Sequence, residues 1–321
     1  MLSVCANQME IQNWPINQEL KKEADNHYRT NLSLAIKDQE PWEIISRLTF
    51  DGVAPKLTLI EIKGLFDWVN KKVLKNKLSG IGLELGAGAG FMSAILADRP
   101  EVQKVYAVEA VENIVKELGP KITNYVLKDK SDKVIGCIGD FDNLQLSDNS
   151  IDFVFDFYSL HHSPDLGKTL RGTSRVLKRG GFVLCFDKTR DNKLTIDDLD
   201  KLLDQEYSRE SKILMGLNPD IKHTRRQNGE QEYRLSDWEK AFKKNGFDWI
   251  EHYHLARVTG NFILRLIKKF ISCLPLFIQI KITKILYKNK KVNNLEISNL
   301  VFCPPVQNFP KEISLIIAYK N

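Results

Sequence analysis

The chain reads as an α/β protein: a seven-stranded sheet flanked by helices, a helical segment ahead of it, and inserts after strands five and six. Three observations predict this. Ile81 to Leu85 is a short apolar run that passes through alternate glycines, Gly86, Gly88 and Gly90, into a helical pattern from Phe91 to Ala97, which is strand, tight turn and helix. A second strand, Val105 to Val108, closes on an acid, Glu109, 19 positions after Gly90, where parallel sheets that hold an adenosine-bearing ligand place one. Further strand-like runs follow at 134–138, 152–157, 182–186, 247–253 and 313–319, and helical patterns separate most of them.

Taken in order, Met1 to Phe50 is polar and helical in pattern, with Trp14, Tyr28 and Trp42 as landmarks that pack helices onto the domain. From Thr58 the spacing of Leu59, Ile60, Ile62, Leu65, Phe66 and Val69 predicts a helix, and Gly80 breaks the chain before the first strand. The glycines then let a ligand lie against the backbone, and the helix after them points unpaired amides toward it. Glu109 suits the ribose hydroxyls of a nicotinamide dinucleotide or of any other adenosine-bearing cofactor. Two details separate these. Counted from Gly86, the last position of the dinucleotide fingerprint is Phe91, too large for close approach to a pyrophosphate. Glu84, inside the strand before the glycines, would repel a phosphate and welcome the ammonium group of an amino-acid cofactor.

Val111 to Leu118 reads as the next helix, with Gly119-Pro120 as its stop. The third strand, Val134 to Ile138, delivers Gly139-Asp140-Phe141 to the ligand end of the sheet. Asp152 to Phe157 is the fourth, with Asp156 and Phe157 expected to line the ligand side, and it empties into Tyr158-Ser159-Leu160-His161-His162. Ligands of open parallel sheets gather beyond such strand ends. Leu170 to Leu177 is a helix, Arg179-Gly180-Gly181 a turn, and Phe182 to Phe186 the fifth strand, with Asp187 to Arg190 as its outlet.

These segments together resemble class I S-adenosylmethionine-dependent methyltransferases, in the methyltransferase type 11 or ubiquinone-biosynthesis-like small-molecule group. The resemblance rests on LELGAGAG at Leu83 to Gly90, VYAVEA, Gly139-Asp140, FYSLHH at Phe157 to His162 and RVLKRGGFVLCF at Arg175 to Phe186. It covers 57–186 well and the flanks less. It implies a Rossmann-like sheet, S-adenosyl-L-methionine as cofactor, and transfer of its methyl group to an O, N or C nucleophile of a small or lipid-like molecule. It also implies roles: Glu84 for the methionine moiety, Glu109 for the ribose and Asp140 for the adenine amine, with Phe141 packed on the ring. Tyr158 would meet the acceptor, and His161 or His162 would take a proton from its hydroxyl or amine; alternatively, both histidines only fix the loop. The segment 1–56 would cover the cofactor, His27-Tyr28 included, over a core of 57–190.

The two inserts differ in composition. In 191–235, Leu194 to Tyr207 reads as a charged surface helix, and the run His223 to Glu230 follows it. An insert here commonly forms an acceptor lid in the family, so Arg225 or Arg226 would hold an acidic substrate bidentately; otherwise they are solvated. The core continues over 236–259. Ser236 with Glu239 reads as a capping box, and Phe247 to Tyr253 is the sixth strand. The second insert, 260–308, carries two basic amphipathic helices from Phe262 to Lys288, with Pro275 between them. Their apolar runs are too short to span a bilayer. They are expected to lie on an anionic membrane surface, to cover a greasy acceptor, or to pack on the core or a partner. The last strand, within 309–321, closes the sheet.

Composition narrows the classes. A net charge of +6, from 47 basic and 41 acidic residues, comes without an aromatic-interleaved basic patch, so nucleic acid is not an expected partner. The five cysteines, Cys5, Cys137, Cys185, Cys273 and Cys303, are scattered without C-x-x-C spacing. That supports neither a disulfide framework nor a zinc site, and no metal is expected at His252 and His254. The first residues lack the basic-then-apolar pattern of a secretory leader. The expectation is therefore a cytoplasmic enzyme, in contact with a membrane at most peripherally. The remaining alternatives are an NAD(P)-dependent oxidoreductase and a catalytically silent cofactor-binding interaction protein; the composition leaves the oligomeric state open.

Overall fold

The structure is a computed structural model in which residues 8–26, 28–50, 58–256, 258, 260–287, 299–304 and 313–321 are described. His27 and Lys288, singled out above, lie outside these residues. The strands are β1 (Glu10–Asn13), β2 (Gly80–Leu85), β3 (Val102–Glu109), β4 (Val134–Ile138), β5 (Ile151–Phe157), β6 (Leu177–Lys188), β7 (Phe247–Ala256), β8 (Leu300–Phe302) and β9 (Ile313–Lys320). They form one nine-stranded sheet in the order β1-β4-β3-β2-β5-β6-β9-β7-β8. All seven expected strands are in it, and β9 enters antiparallel between β6 and β7.

Two strands correct the count of seven. β1 lies in the segment read as helical and pairs parallel with β4, from Glu10 opposite Ile135 to Asn13 opposite Ile138. β8 lies in the last insert and pairs parallel with β7, with Leu300 opposite His254. Four and three residues are too short to display a period of two, so edge pairing rather than local pattern creates them.

Along β5 successive side chains alternate between two cores. Phe153, Phe155 and Phe157 join Phe66, Phe91 and Phe186 on one face, and Val154 joins Leu83, Val183, Trp238 and Phe242 on the other. Helices bury both faces, so the strand reads as a continuous apolar run. After the edge strand β1 the chain passes into β2, steps through β3 and β4 on one side, then returns to β5 and β6 on the other. The gap beyond the ends of β2 and β5 is thus the topological switch point where open sheets bind ligands.

Among the described residues four helices precede β2, the first three being α1 (Gln18–Asn26), α2 (Tyr28–Ile36) and α3 (Pro41–Phe50). The fourth, α4 (Leu59–Lys72), starts at a capping box in which the Glu61 amide donates to Thr58 and the Glu61 carboxylate accepts from the Thr58 amide at 2.8 Å. It buries Ile62, Leu65, Phe66 and Val69. After α5 (Phe91–Ala97) and β3, a π-helical turn at Ile114–Leu118 runs into α6 (Gly119–Leu127). Gly119-Pro120 is therefore a junction and not the expected stop. Proline is tolerated in a first helical turn, where its missing N–H has no partner to lose.

Beyond α7 (Leu166–Val176), the charged helix α8 (Ile196–Leu203) ends short of Tyr207, because Glu206 turns away to bridge Thr224. A short α9 (Arg209–Leu214) follows. The next helix, α10 (Leu235–Lys244), begins before the expected cap. The Arg234 amide donates to Asp237 at 3.0 Å, and Ser236 instead donates its amide to Asn192 at 2.8 Å. Two helices complete the list, α11 (Phe262–Cys273) and α12 (Leu276–Leu286). Among the described residues, no helix is long and apolar enough to cross a membrane.

Candidate active site

A cavity of about 550 Å³ lies beyond the carboxyl ends of β2, β3, β4 and β5. Of the residues expected to meet a cofactor, Glu84, Gly86, Gly88, Glu109, Asp140, Phe141 and Phe157 line it. Gly90 does not; with φ 74° it caps α5 behind the wall. Gly86, at φ 65°, has no room for a side chain: a Cβ there would stand 2.4 Å from the Cβ of Ser159. Ser159 Oγ in turn lies 2.7 Å from the Leu85 carbonyl, so the ends of β2 and β5 are held together by a glycine and a hydroxyl.

Each acid has a distinct setting. Glu109 accepts from the Gly88 amide at 2.9 Å through one oxygen and from the Val111 amide at 3.0 Å through the other. Each oxygen keeps a further lone pair for a hydroxyl. Asp140 accepts from the Asp142 amide at 2.7 Å through one oxygen, and it lines the cavity together with Phe141. Glu84 is buried, with Ser93 Oγ donating to it at 2.5 Å. Burial pushes its carboxyl up to about 8, and the neighbouring charges of Asp156 and Glu109 push the same way. An ammonium group placed there would restore the carboxylate. The donor and acceptor set thus fits S-adenosylmethionine: a buried acid for the amino group, an acid with spare acceptors for the ribose, and an acid beside an aromatic ring for adenine.

A further wall of the cavity is built by the loop after β5. Asp156 is fully buried and does not reach the cavity. Its carboxylate instead accepts from the amides of Ser159 and Leu160, at 3.1 and 2.9 Å, and from Cys185 Sγ at 3.1 Å, which shapes the loop from below. Tyr158 lines the cavity in a left-handed conformation, φ 60°, unfavourable for a bulky residue. Its amide donates to the Phe186 carbonyl at 2.7 Å. The turn Leu160–His162 is 3-10 helical, so consecutive side chains diverge by about a third of a turn. His162 points to the cavity, whereas His161 is buried.

His161 Nδ1 is 2.7 Å from Asp187 Oδ1, and its amide donates to the other oxygen at 2.9 Å. Burial, reinforced by Lys188, holds His161 well below the usual histidine range, and burial raises Asp187 to about 7. A neutral imidazole that donates Nδ1–H to Asp187 satisfies both, and its ring supports that of His162, with centroids 4.3 Å apart.

Arg225 and Arg226 do not line the cavity. Arg226 bonds Asp204 at 2.8 Å and Asp200 at 2.9 Å at the surface. Arg225 leans, at 3.5 Å, on Glu230 and Glu232. Those acids surround the buried Lys188, whose Nζ bonds Glu230 at 2.5 Å and Glu232 at 3.1 Å, and Arg190 bonds Glu232 at 2.5 Å. The cluster fastens the segment whose Asn228, Gly229 and Gln231 do line the cavity. Sequence reasoning missed these three, together with Lys168, Asp142 and, from the N-terminal segment, Glu19, Glu23 and Arg29. Only Asp142 carried a signal, its place two residues after Asp140.

Residues 83–185 match the family model described as a methyltransferase domain. Over 135 residues the chain is 30% identical to YcgJ, an uncharacterized methyltransferase of Bacillus subtilis (strain 168). That match takes in 41% of this chain and spans about half, 51%, of the relative. The fold is similar to that of phosphoethanolamine N-methyltransferase 2 of Haemonchus contortus. In its complex with phosphomonomethylethanolamine and S-adenosylhomocysteine the TM-score is 0.52 at 16% identity, covering 95% of this chain and 61% of that one. Its S-adenosyl-L-methionine complex gives 0.51 at 16%, with 95% and 60% covered. Residues 83–185 thus match a methyltransferase domain, and the fold built around them is similar to that of the Haemonchus contortus enzyme.

Proposed function

We propose that the protein transfers a methyl group from S-adenosylmethionine to an O, N or C nucleophile of a small or lipid-like molecule. The observation that carries this reading is a single cavity shared by Glu84, Glu109 and Asp140 on the one hand and by His162, Tyr158 and Gln231 on the other. Bound cofactor supplies an electrophilic methyl group on a sulfonium. The chain's own part is to orient and to dry the site. Glu84 fixes the amino group, Glu109 the ribose hydroxyls and Asp140 the adenine amine, while Phe141 and Phe157 exclude water. Orientation of this kind supplies much of the rate of a direct substitution. His162, held by the His161–Asp187 pair beneath it, takes the proton that an acceptor hydroxyl or amine releases. α1 and the 228–231 segment close the sides of the cavity.

Titration with S-adenosylmethionine and S-adenosylhomocysteine beside NAD and NADP tests the cofactor. Only the first pair should bind, and selective nicotinamide binding would sink the reading. Glu109→Ala and Asp140→Ala should each weaken binding about tenfold to a hundredfold, the worth of a charged hydrogen bond or two. His162→Ala should keep that affinity and lose turnover near neutral pH. Cell extract supplied with methyl-labelled cofactor identifies the acceptor; a protein that binds the cofactor and labels nothing is a silent binder.

A further inference from the structure

The helices α11 and α12 have their polarity turned inside out. Uncharged polar side chains face the protein. Ser272, Gln279 and Thr283 are buried. Gln279 Nε2 donates to the Leu274 carbonyl at 2.9 Å, its Oε1 accepts from the Phe302 amide at 3.2 Å, and Thr283 Oγ1 donates to the Leu300 carbonyl at 2.8 Å. These bonds fasten the pair to the edge strand β8. The apolar side chains face out: Phe262 is 69% exposed, Ile263 66%, Leu266 51%, Ile267 47% and Phe270 69%. Their spacing of i, i+1, i+4, i+5 and i+8 places all five on one side of α11, away from the buried Ile271 and Ser272. Phe277 and Ile285 stand out from α12 at 62% and 75%. Single exposed apolar residues are ordinary, but a contiguous face of this kind marks a surface that meets something.

Charge says what it meets. From His252 to Leu295 the chain contains no Asp or Glu and carries nine basic residues, Arg257, Arg265, Lys268, Lys269, Lys281, Lys284, Lys288, Lys290 and Lys291. Arg265 and Lys269 are exposed beside the apolar side of α11, and Lys281 and Lys284 are exposed between Phe277 and Ile285. A second copy of the chain would bring this face against its own like charges. A bilayer with anionic headgroups suits it: apolar side chains enter the boundary of the acyl region while lysine stems reach back to the phosphates. With 12 and 11 residues, the helices can lie on such a surface but cannot cross it, which takes about 20. We infer that the outward face of α11 and α12 is a docking surface for an anionic lipid membrane, a property independent of the methyltransferase reading.

Sedimentation of the full chain with vesicles of phosphatidylcholine alone, and of phosphatidylcholine with phosphatidylserine, tests this. Binding is expected to the anionic vesicles at low salt and to fall at least tenfold at high salt. It should fall as far in Ile267→Glu/Phe270→Glu and in Lys269→Glu/Lys284→Glu, with thermal unfolding unchanged as the check that both variants fold. Wild-type protein that stays in the supernatant with anionic vesicles at low salt overturns the inference. So does salt-insensitive binding to neutral vesicles. A dimer in analytical ultracentrifugation that ignores vesicles and that Ile267→Glu/Phe270→Glu makes monomeric would assign the face to self-association instead.

Discussion

The segment 191–234 is rich in charge, yet its acids Glu230 and Glu232 are buried, whereas the apolar residues Phe262, Ile263 and Phe270 of α11 stand in solvent. Composition alone would have exchanged these places. In the first region every buried charge has an opposite partner: Glu230 pairs with Lys188, Glu232 with Lys188 and Arg190, and Lys212 with Glu206. Burial by itself pushes Glu232 up, but bonds from Arg190 and the charge of Lys188 more than offset it and hold the carboxyl below its ordinary range. In the second region Gln279 and Thr283 pair with the backbone of an edge strand, while apolar side chains of the same helices face outward. Burial therefore follows the pairing of polar groups, and the hydrophobic count of a segment does not decide it.

Breaking the buried cluster should have the largest effect. Lys188→Met leaves two carboxylates short of a cation and should cost about 3–5 kcal/mol of stability in denaturant unfolding. An unchanged midpoint would show the cluster to be hydrated. Gln279→Leu exchanges a polar residue for an apolar one in an apolar helix, yet it should cost about 1–3 kcal/mol, because the Phe302 amide and the Leu274 carbonyl lose their partner. A gain in stability would mean that α12 is held by its apolar contacts alone.

Glu84 sharpens the comparison, since it is a buried acid whose neighbouring charges are negative. Raised to about 8, it is neutral at lower pH and must give up its proton when a cationic amino group arrives. Cofactor affinity should therefore rise with pH from 6 to 8, by at most about tenfold per unit, and flatten above. Calorimetry at several pH values checks this, and Glu84→Gln should remove the slope. The smallest effect is expected outside. Phe270→Ser should change stability by no more than about 0.5 kcal/mol in the same unfolding assay, and a larger loss would place its ring in a contact within the fold.

The sequence by itself determined the parts whose physics is local. Continuous apolar runs, alternate glycines and acids at strand ends announced seven strands and brought Glu84, Glu109 and Asp140 into one argument, because a strand, its turn and its terminal residue are neighbours in the chain. Tertiary structure decided what distant segments do to one another. It added β1 and β8 by pairing along free edges. It sent His161 inward to Asp187, 26 residues away, and left His162 at the cavity. It drew Arg225 toward Glu232 and put Gln231 on the wall in its place. It also settled which side of α11 faces out, since Ile271 and Phe270 are equally apolar, yet one is buried and the other exposed. Local pattern states what a residue can do; which of its polar groups finds a partner is fixed only when the chain closes on itself.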